Sequence, residues 1–180
     1  MIRYIVQILG LLLLLLGATL VTLKLKHRND DGPSVLFPGG KLISGALHEG
    51  AEPDWSFTDD VFTIELETAN PVSSRRIFVM EHNNRLYVPS GYMHTFLGKL
   101  WKDWAFGVSD GNDSAVARIE GVRYERTLVR EMNPEVIEGV ATKLAQKYAG
   151  GVTPETVKAI SQSVLDGETW LFQMAPREAG

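Results

Sequence analysis

Hydrophobic and polar positions alternate in a single register over residues 61–68, VFTIELET, with Phe62, Ile64 and Leu66 on one face and Thr63, Glu65 and Glu67 on the other. A period of two marks a strand with one buried face, and it predicts a strand here. Residues 76–81 are instead apolar on both faces, Ile77 and Val79 on one and Phe78 and Met80 on the other. That predicts a strand covered on both sides. Asn83-Asn84 follows, a pair that tolerates the left-handed backbone of a two-residue hairpin, and Leu86 and Val88 then alternate with Tyr87 up to Pro89-Ser90-Gly91. The stretch 75–90 reads as the central hairpin of a small β-barrel.

Beyond it the period changes. Phe96, Leu97, Leu100, Trp101 and Trp104 recur at three- and four-residue steps, which predicts a short amphipathic helix within 92–108, flanked by Lys99 and Lys102. Residues 109–114, SDGNDS, are a loop, and strands over 115–120 and 122–130 flank a Glu120-Gly121 turn. In the second of these Arg126 shares a face with Val122, Tyr124 and Leu128, which points to a bulge or to a buried salt bridge. Asn133-Pro134 and Thr153-Pro154 each place a capping residue before a proline at the first helical position. The stripes that follow, Val136, Val140, Leu144 and Tyr148, then Val157, Ile160, Val164 and Leu165, predict two helices that pack on the core. Residues 169–175, TWLFQMA, form a last strand that closes the barrel.

The N-terminal end follows neither period. Ile5 to Leu23 is 19 residues without a charge, enough at helical rise for a hydrocarbon core of about 30 Å. A cleaved signal peptide is the alternative, but the run is long for that role and no A-x-A site follows. The predicted organisation is an anchor with a basic flank over 1–28, a Gly/Pro-rich linker over 29–54 and a barrel domain over 55–177. Lys24, Lys26 and Arg28 outnumber Arg3, which leans the domain towards the cytoplasm. A very short tail before the span is equally the layout of exported domains, and orientation stays open.

Charge and composition narrow the chemistry. The net charge is −4, and residues 32–180 alone carry −6, so a nucleic-acid partner is disfavoured for want of a basic footprint. There is no cysteine, hence no disulfide, thiolate metal site or cysteine nucleophile. His48-Glu49 and Glu52–Asp54 match no metal-site spacing and read as a solvated acidic loop; Trp55 and Phe57 read as a plug on the barrel. No G-x-S-x-G elbow, H-E-x-x-H helix or phosphate-binding glycine loop is present, which leaves a hydrolase without a motif.

The order of elements, with Arg76-Ile77-Phe78-Val79-Met80, Arg85-Leu86-Tyr87-Val88, Ser90, Lys99, Ala117-Arg118-Ile119-Glu120-Gly121 and the terminal 171–177 segment LFQMAPR, resembles the split β-barrel flavoproteins related to pyridoxamine 5'-phosphate oxidase and their deazaflavin-binding relatives. The resemblance implies a split barrel of about six antiparallel strands with two or three short helices, so that with the transmembrane helix in front the chain is α+β; a long hydrophobic anchor is unusual for such an oxidase. It also implies an FMN or deazaflavin phosphate held where the hairpin meets the helix. Carried over by position, the cofactor residues are Arg76, Ser90, Lys99 and Lys102, with Trp101 as a wall for the ring. Arg supplies a bidentate fork and Lys a point charge for such a phosphate. The spacing from Ser90 to Lys99 is longer than the family's usual one, and no second arginine–histidine set of the oxidase type is present. Such proteins pair as homodimers. Two functions remain open: a membrane-anchored oxidoreductase, whose chemistry the cofactor carries, or a non-catalytic module binding a small molecule, haem or a protein. For haem the candidate axial ligands are His48, His82 and His94.

Overall fold

The computed structural model describes residues 2–35, 37–95 and 102–177. It begins with α1 (Ile2–His27), 26 residues with no buried side chain, long and apolar enough to cross a membrane. At 1.5 Å per residue it extends about 39 Å, more than a hydrocarbon core requires. The Thr19 and Thr22 hydroxyls donate to the Leu15 and Ala18 carbonyls, so both threonine side chains are satisfied within the helix.

The remaining elements form an α+β unit: β1 (Ala46–Leu47), a 3-10 turn (Trp55–Asp60), β2 (Ile64–Thr68), β3 (Ser73–Ile77), β4 (Met80–His82), β5 (Arg85–Ser90), α2 (Asp103–Ser109), β6 (Ser114–Ile119), β7 (Val122–Arg130), α3 (Pro134–Tyr148), α4 (Pro154–Leu165) and β8 (Trp170–Pro176). The strands make one sheet in the order β3-β2-β6-β7-β8-β5-β4, with β1 added in parallel on β7. The path itself is antiparallel throughout. Eight strands replace the expected six because two are short: β1 has two residues and β4 three.

Expected as one strand over 76–81, the chain here divides in two. β3 ends at Ile77 on one edge of the sheet and β4 begins at Met80 on the other. Phe78-Val79 carries the chain between edges, which forces the sheet to curl on itself. Both faces of this stretch are apolar because they meet two different cores. Ile77 and Val79 face the barrel interior and Met80 a second cluster with Tyr87, Ile137, Val140, Val164 and Leu171, while Phe78 is half-exposed. The gap between the edges has no ladder of its own. Lys147 Nζ donates to the carbonyls of Thr58, Val61 and Val79, and the Tyr148 hydroxyl donates to those of Phe62 and Val79 and accepts from the Val79 amide. Side chains from α3 thus supply the pairing that a continuous sheet would have supplied.

The turns follow from their residues. Asn83 and Asn84 both lie at positive φ (53° and 55°), as do Glu120 and Gly121 (48° and 81°), the backbone of two-residue hairpin turns. Asn133 and Thr153 cap α3 and α4 by accepting from the amides of Glu135 and Thr156. In the barrel core Trp55 packs edge-on against Tyr124 with ring centroids 4.9 Å apart, and Trp104 of α2 packs against Phe172 at 5.5 Å. Phe62 lies before β2 and is exposed, unlike its place in the alternation. Arg126 resolves its alternatives in favour of a salt bridge. It is 2% exposed, bonds Glu52 through Nη1 at 2.5 Å, and lies over the Trp55 and Tyr124 rings.

Residues 29–54, expected as a linker, are bonded along the barrel. Gly39 and Ser74 exchange both backbone hydrogen bonds, the Leu42 amide donates to Glu67 at 2.6 Å, and the Asp31 carboxylate accepts from the Ile43 and Ser44 amides and from Arg118. This strap buries Ser74 and Glu67, whose positions in the alternation face outward. A Cβ on Gly39 would stand 1.9 Å from the Gly32 carbonyl oxygen, so the close approach of the two strap segments requires glycine.

Candidate functional site

Alternation along β3 separates its two arginines. Arg75 shares the inner face with Ile77, its guanidinium 5.2 Å from the Trp104 ring centroid, whereas Arg76 stands exposed on the outer face. Outside, where β3, the end of β5 and the α4–β8 connection converge, an open cleft of about 650 Å³ is lined on its apolar side by Ile77, Phe78 and Leu144 and on its polar side by Arg76, His94 and Lys102.

Among the described residues neither cleft cation has an acidic partner. The cross-strand neighbour of Arg76 is Glu65, but that carboxylate is taken by Arg118 Nε at 2.5 Å. Among the described residues Arg76 makes no side-chain hydrogen bond or ion pair, and neither does Lys102. Lys102 stands at the start of α2, and burial, then the nearby charge of Arg75, hold its ammonium below the usual lysine range. Arg75 donates through Nη2 to Thr68 Oγ1 at 3.2 Å and to the Ser73 carbonyl at 3.3 Å, while its buried Nη1 has no partner. Burial pushes Arg75 down to about 10, against the opposing pull of Asp103. Arg76 and Lys102 in the cleft wall, with the buried charge of Arg75 behind them, outweigh the one carboxylate in the lining, Glu168, and favour an anion.

Of the residues singled out in the sequence, Arg76 and Lys102 come together in this cleft. Ser90 does not line it: it is 0% exposed, and its hydroxyl donates to Met93 Sδ at 3.2 Å. Lys99 and Trp101 lie outside the described residues. Of the three histidines considered as haem ligands only His94 lines the cleft, with Nε2 3.4 Å from the Asp166 carbonyl oxygen. His48 stacks near Tyr124 and bonds the Ala51 carbonyl, and His82 lies against α3 where Gly139 leaves room for its ring. Arg75 is not among the residues that the sequence pattern singles out. The signal was available in the alternation, which puts Arg75 in the inward register of Ile77.

No protein-family model matches the chain, and no curated protein matches it in sequence. Solved structures do match in fold. A conserved hypothetical protein of Mycobacterium tuberculosis aligns with a TM-score of 0.52 at 13% identity, covering 68% of this chain and 77% of that one. HutZ, the haem storage protein of Vibrio cholerae, aligns at 0.47 and 11% identity, covering 68% and 87%. A candidate pyridoxamine 5'-phosphate oxidase of Listeria innocua aligns at 0.44 and 13% identity, covering 68% and 90%. The neighbours are split-barrel proteins of the pyridoxamine 5'-phosphate oxidase-like kind, and at these identities what this chain shares with them is the fold.

Proposed function

We propose that the cleft binds the phosphate of a flavin, FMN or a deazaflavin, and that the chain is a membrane-anchored oxidoreductase. The observation that carries the reading is the pair of cleft cations without carboxylate partners among the described residues, Arg76 and Lys102, with the charge of Arg75 behind them, in a domain that is otherwise acidic. Arg76 and Lys102 would hold the phosphate, and Ile77, Phe78 and Leu144 offer an apolar wall for a ring. The cofactor would supply hydride transfer; the chain's own residues bind and orient it. Lys99 and Trp101 remain members of the proposed set by resemblance, while Ser90, buried with its hydroxyl on Met93, does not. In this reading α1 is a single membrane span, the domain is cytoplasmic by the basic flank Lys24, Lys26 and Arg28, and the chain pairs as a homodimer.

The test is the full chain in detergent, titrated with FMN and then with a deazaflavin. Saturable quenching of cofactor fluorescence at micromolar concentration is the expected result, and no response to either cofactor overturns the reading. Light scattering of the same sample tests the dimer.

A second reading is a non-catalytic module that uses the same cleft for haem, with His94 as axial ligand. Its support is the place of His94 on the cleft wall beside two cations suited to haem propionates. A Soret band after addition of hemin, lost in His94→Ala, is the expected result; an unchanged spectrum dismisses it.

A further inference from the structure

We propose that the strap beside the end of α1 is a second membrane contact, in which Val35, Phe37 and Ile43 rest in the headgroup–acyl boundary of an anionic bilayer. The inference rests on the reading of α1 as a membrane span.

The first argument is position. The His27 ring, on the last residue of α1, stacks on Phe37 with centroids 5.9 Å apart and planes 9° apart. His27 Nδ1 also pairs with Asp30 at 2.6 Å, and the Asp30 carbonyl accepts from the Gly40 amide at 2.9 Å. The chain beyond α1 therefore folds back against the end of the helix. His27 lies four residues past Leu23, about 6 Å of helical rise, within an interfacial layer about 5–7 Å deep on each side of the hydrocarbon.

The second argument is exposure. Val35 is 83% exposed in a tight turn closed by the Ser34 amide on the Phe37 carbonyl and the Phe37 amide on the Ser34 hydroxyl. Ile43 is 65% exposed although its amide is fixed on Asp31. Held rigidly and facing outward, these side chains suit the boundary of a bilayer better than water.

The third argument is charge. Asp31 is paired with Arg118, and Asp30, hydrogen-bonded to His27, is one carboxylate against the four cations around it. Among the described residues Lys24, Lys26, Arg28 and Lys41 have no carboxylate partner. This end of an acidic protein is thus locally positive, the charge that anionic headgroups attract.

The absence of cysteine makes the test direct. Val35→Cys, Val152→Cys and Leu14→Cys, each labelled with an environment-sensitive dye, are reconstituted as full chains in phosphatidylcholine vesicles containing phosphatidylglycerol. Quenching by lipid-borne nitroxides, one just below the headgroup for positions 35 and 152 and one deep in the acyl chain for position 14, is compared with quenching by aqueous iodide. The expected ratio of lipid to iodide quenching is several-fold higher at 35 than at 152, with 14 quenched by lipid alone. Lipid quenching at 14 with iodide quenching at 35 overturns the strap contact and leaves the anchor standing. Protection of 35 from both quenchers means that protein covers the strap, and overturns the lipid assignment. Absence of lipid quenching at 14 removes the anchor itself, and the strap contact with it.

Discussion

Lys147 Nζ donates to the Val79 carbonyl at 2.8 Å, at the point where the chain leaves one edge of the sheet for the other. The same ammonium serves Thr58 and Val61, so one side chain of α3 satisfies three carbonyls around the split. Lys147→Met keeps most of the stem's packing and removes the donors. Only Val79 retains a donor of this kind, from Tyr148. We predict a loss of about 2–3 kcal/mol, read as a fall in Tm of roughly 5–10 °C in detergent. Tyr148→Phe is predicted to cost about 1–2 kcal/mol, since Lys147 still serves the Val79 carbonyl but the Val79 amide loses its acceptor. A Lys147→Met protein that melts with the parent would mean that water closes the split.

Much of this fold is legible in the sequence because its signals are local. The Asn83-Asn84 and Glu120-Gly121 turns, the Asn133 and Thr153 caps and the alternation of Leu86, Tyr87 and Val88 each depend on neighbours within a few residues. The break at Phe78-Val79 is not legible in this way, since a strand apolar on both faces reads the same whether one core covers it or two. The strap is hidden for a different reason. Its bonds join residues far apart in sequence, such as Leu42 to Glu67 and Asp31 to Arg118. For the site, Arg76 and Lys102 are found by pattern, while the burial of Ser90 depends on Met93 and the final strand.

The strap's hold on the barrel runs through Asp31. Its carboxyl is held well below the ordinary value of 3.8 by hydrogen bonds, from the Ser44 hydroxyl first, then the Ile43 amide and Arg118. A carboxyl with a lowered folded pKa contributes stability in full above its unfolded pKa and loses it as pH falls through the folded value. Protection of the Ile43 and Ser44 amides from hydrogen exchange is therefore predicted to hold from neutrality down to about pH 4 and to fade below it. Asp31→Asn is predicted to lower that protection at pH 7 at a cost of about 1 kcal/mol, the site being partly solvated. Equal protection in both proteins at pH 7 would show that the backbone alone holds the strap.

Arg126 and Glu52 invite a double-mutant cycle. Arg126 is buried over Trp55 and Tyr124, and its Nε has no partner, so Glu52 is its one carboxylate among the described residues. Removing Glu52 leaves a buried cation without a counter-charge, a loss we put at about 2–3 kcal/mol. Removing both as Arg126→Met with Glu52→Gln is predicted to cost less than the sum of the single changes by about 1 kcal/mol or more. Additive melting shifts would deny the coupling.

Arg76 and Lys102 give the ligand reading its sharpest test, because the predicted contact is to a phosphate and riboflavin has none. Each charge-assisted contact to an anion contributes about 1.5–3 kcal/mol, roughly a 10- to 100-fold change in Kd. Arg76 is exposed and bonds nothing among the described residues, so Arg76→Ala leaves no buried group unpaired and the fold should hold its Tm. We predict that Arg76→Ala and Lys102→Met each weaken FMN binding by that factor and leave riboflavin binding unchanged, and that added salt weakens FMN binding to the parent more than to either variant. Circular dichroism and Tm confirm folding in each case. Equal losses for FMN and riboflavin would place the two cations against the ring. Unchanged FMN affinity in both variants would move the phosphate out of this cleft.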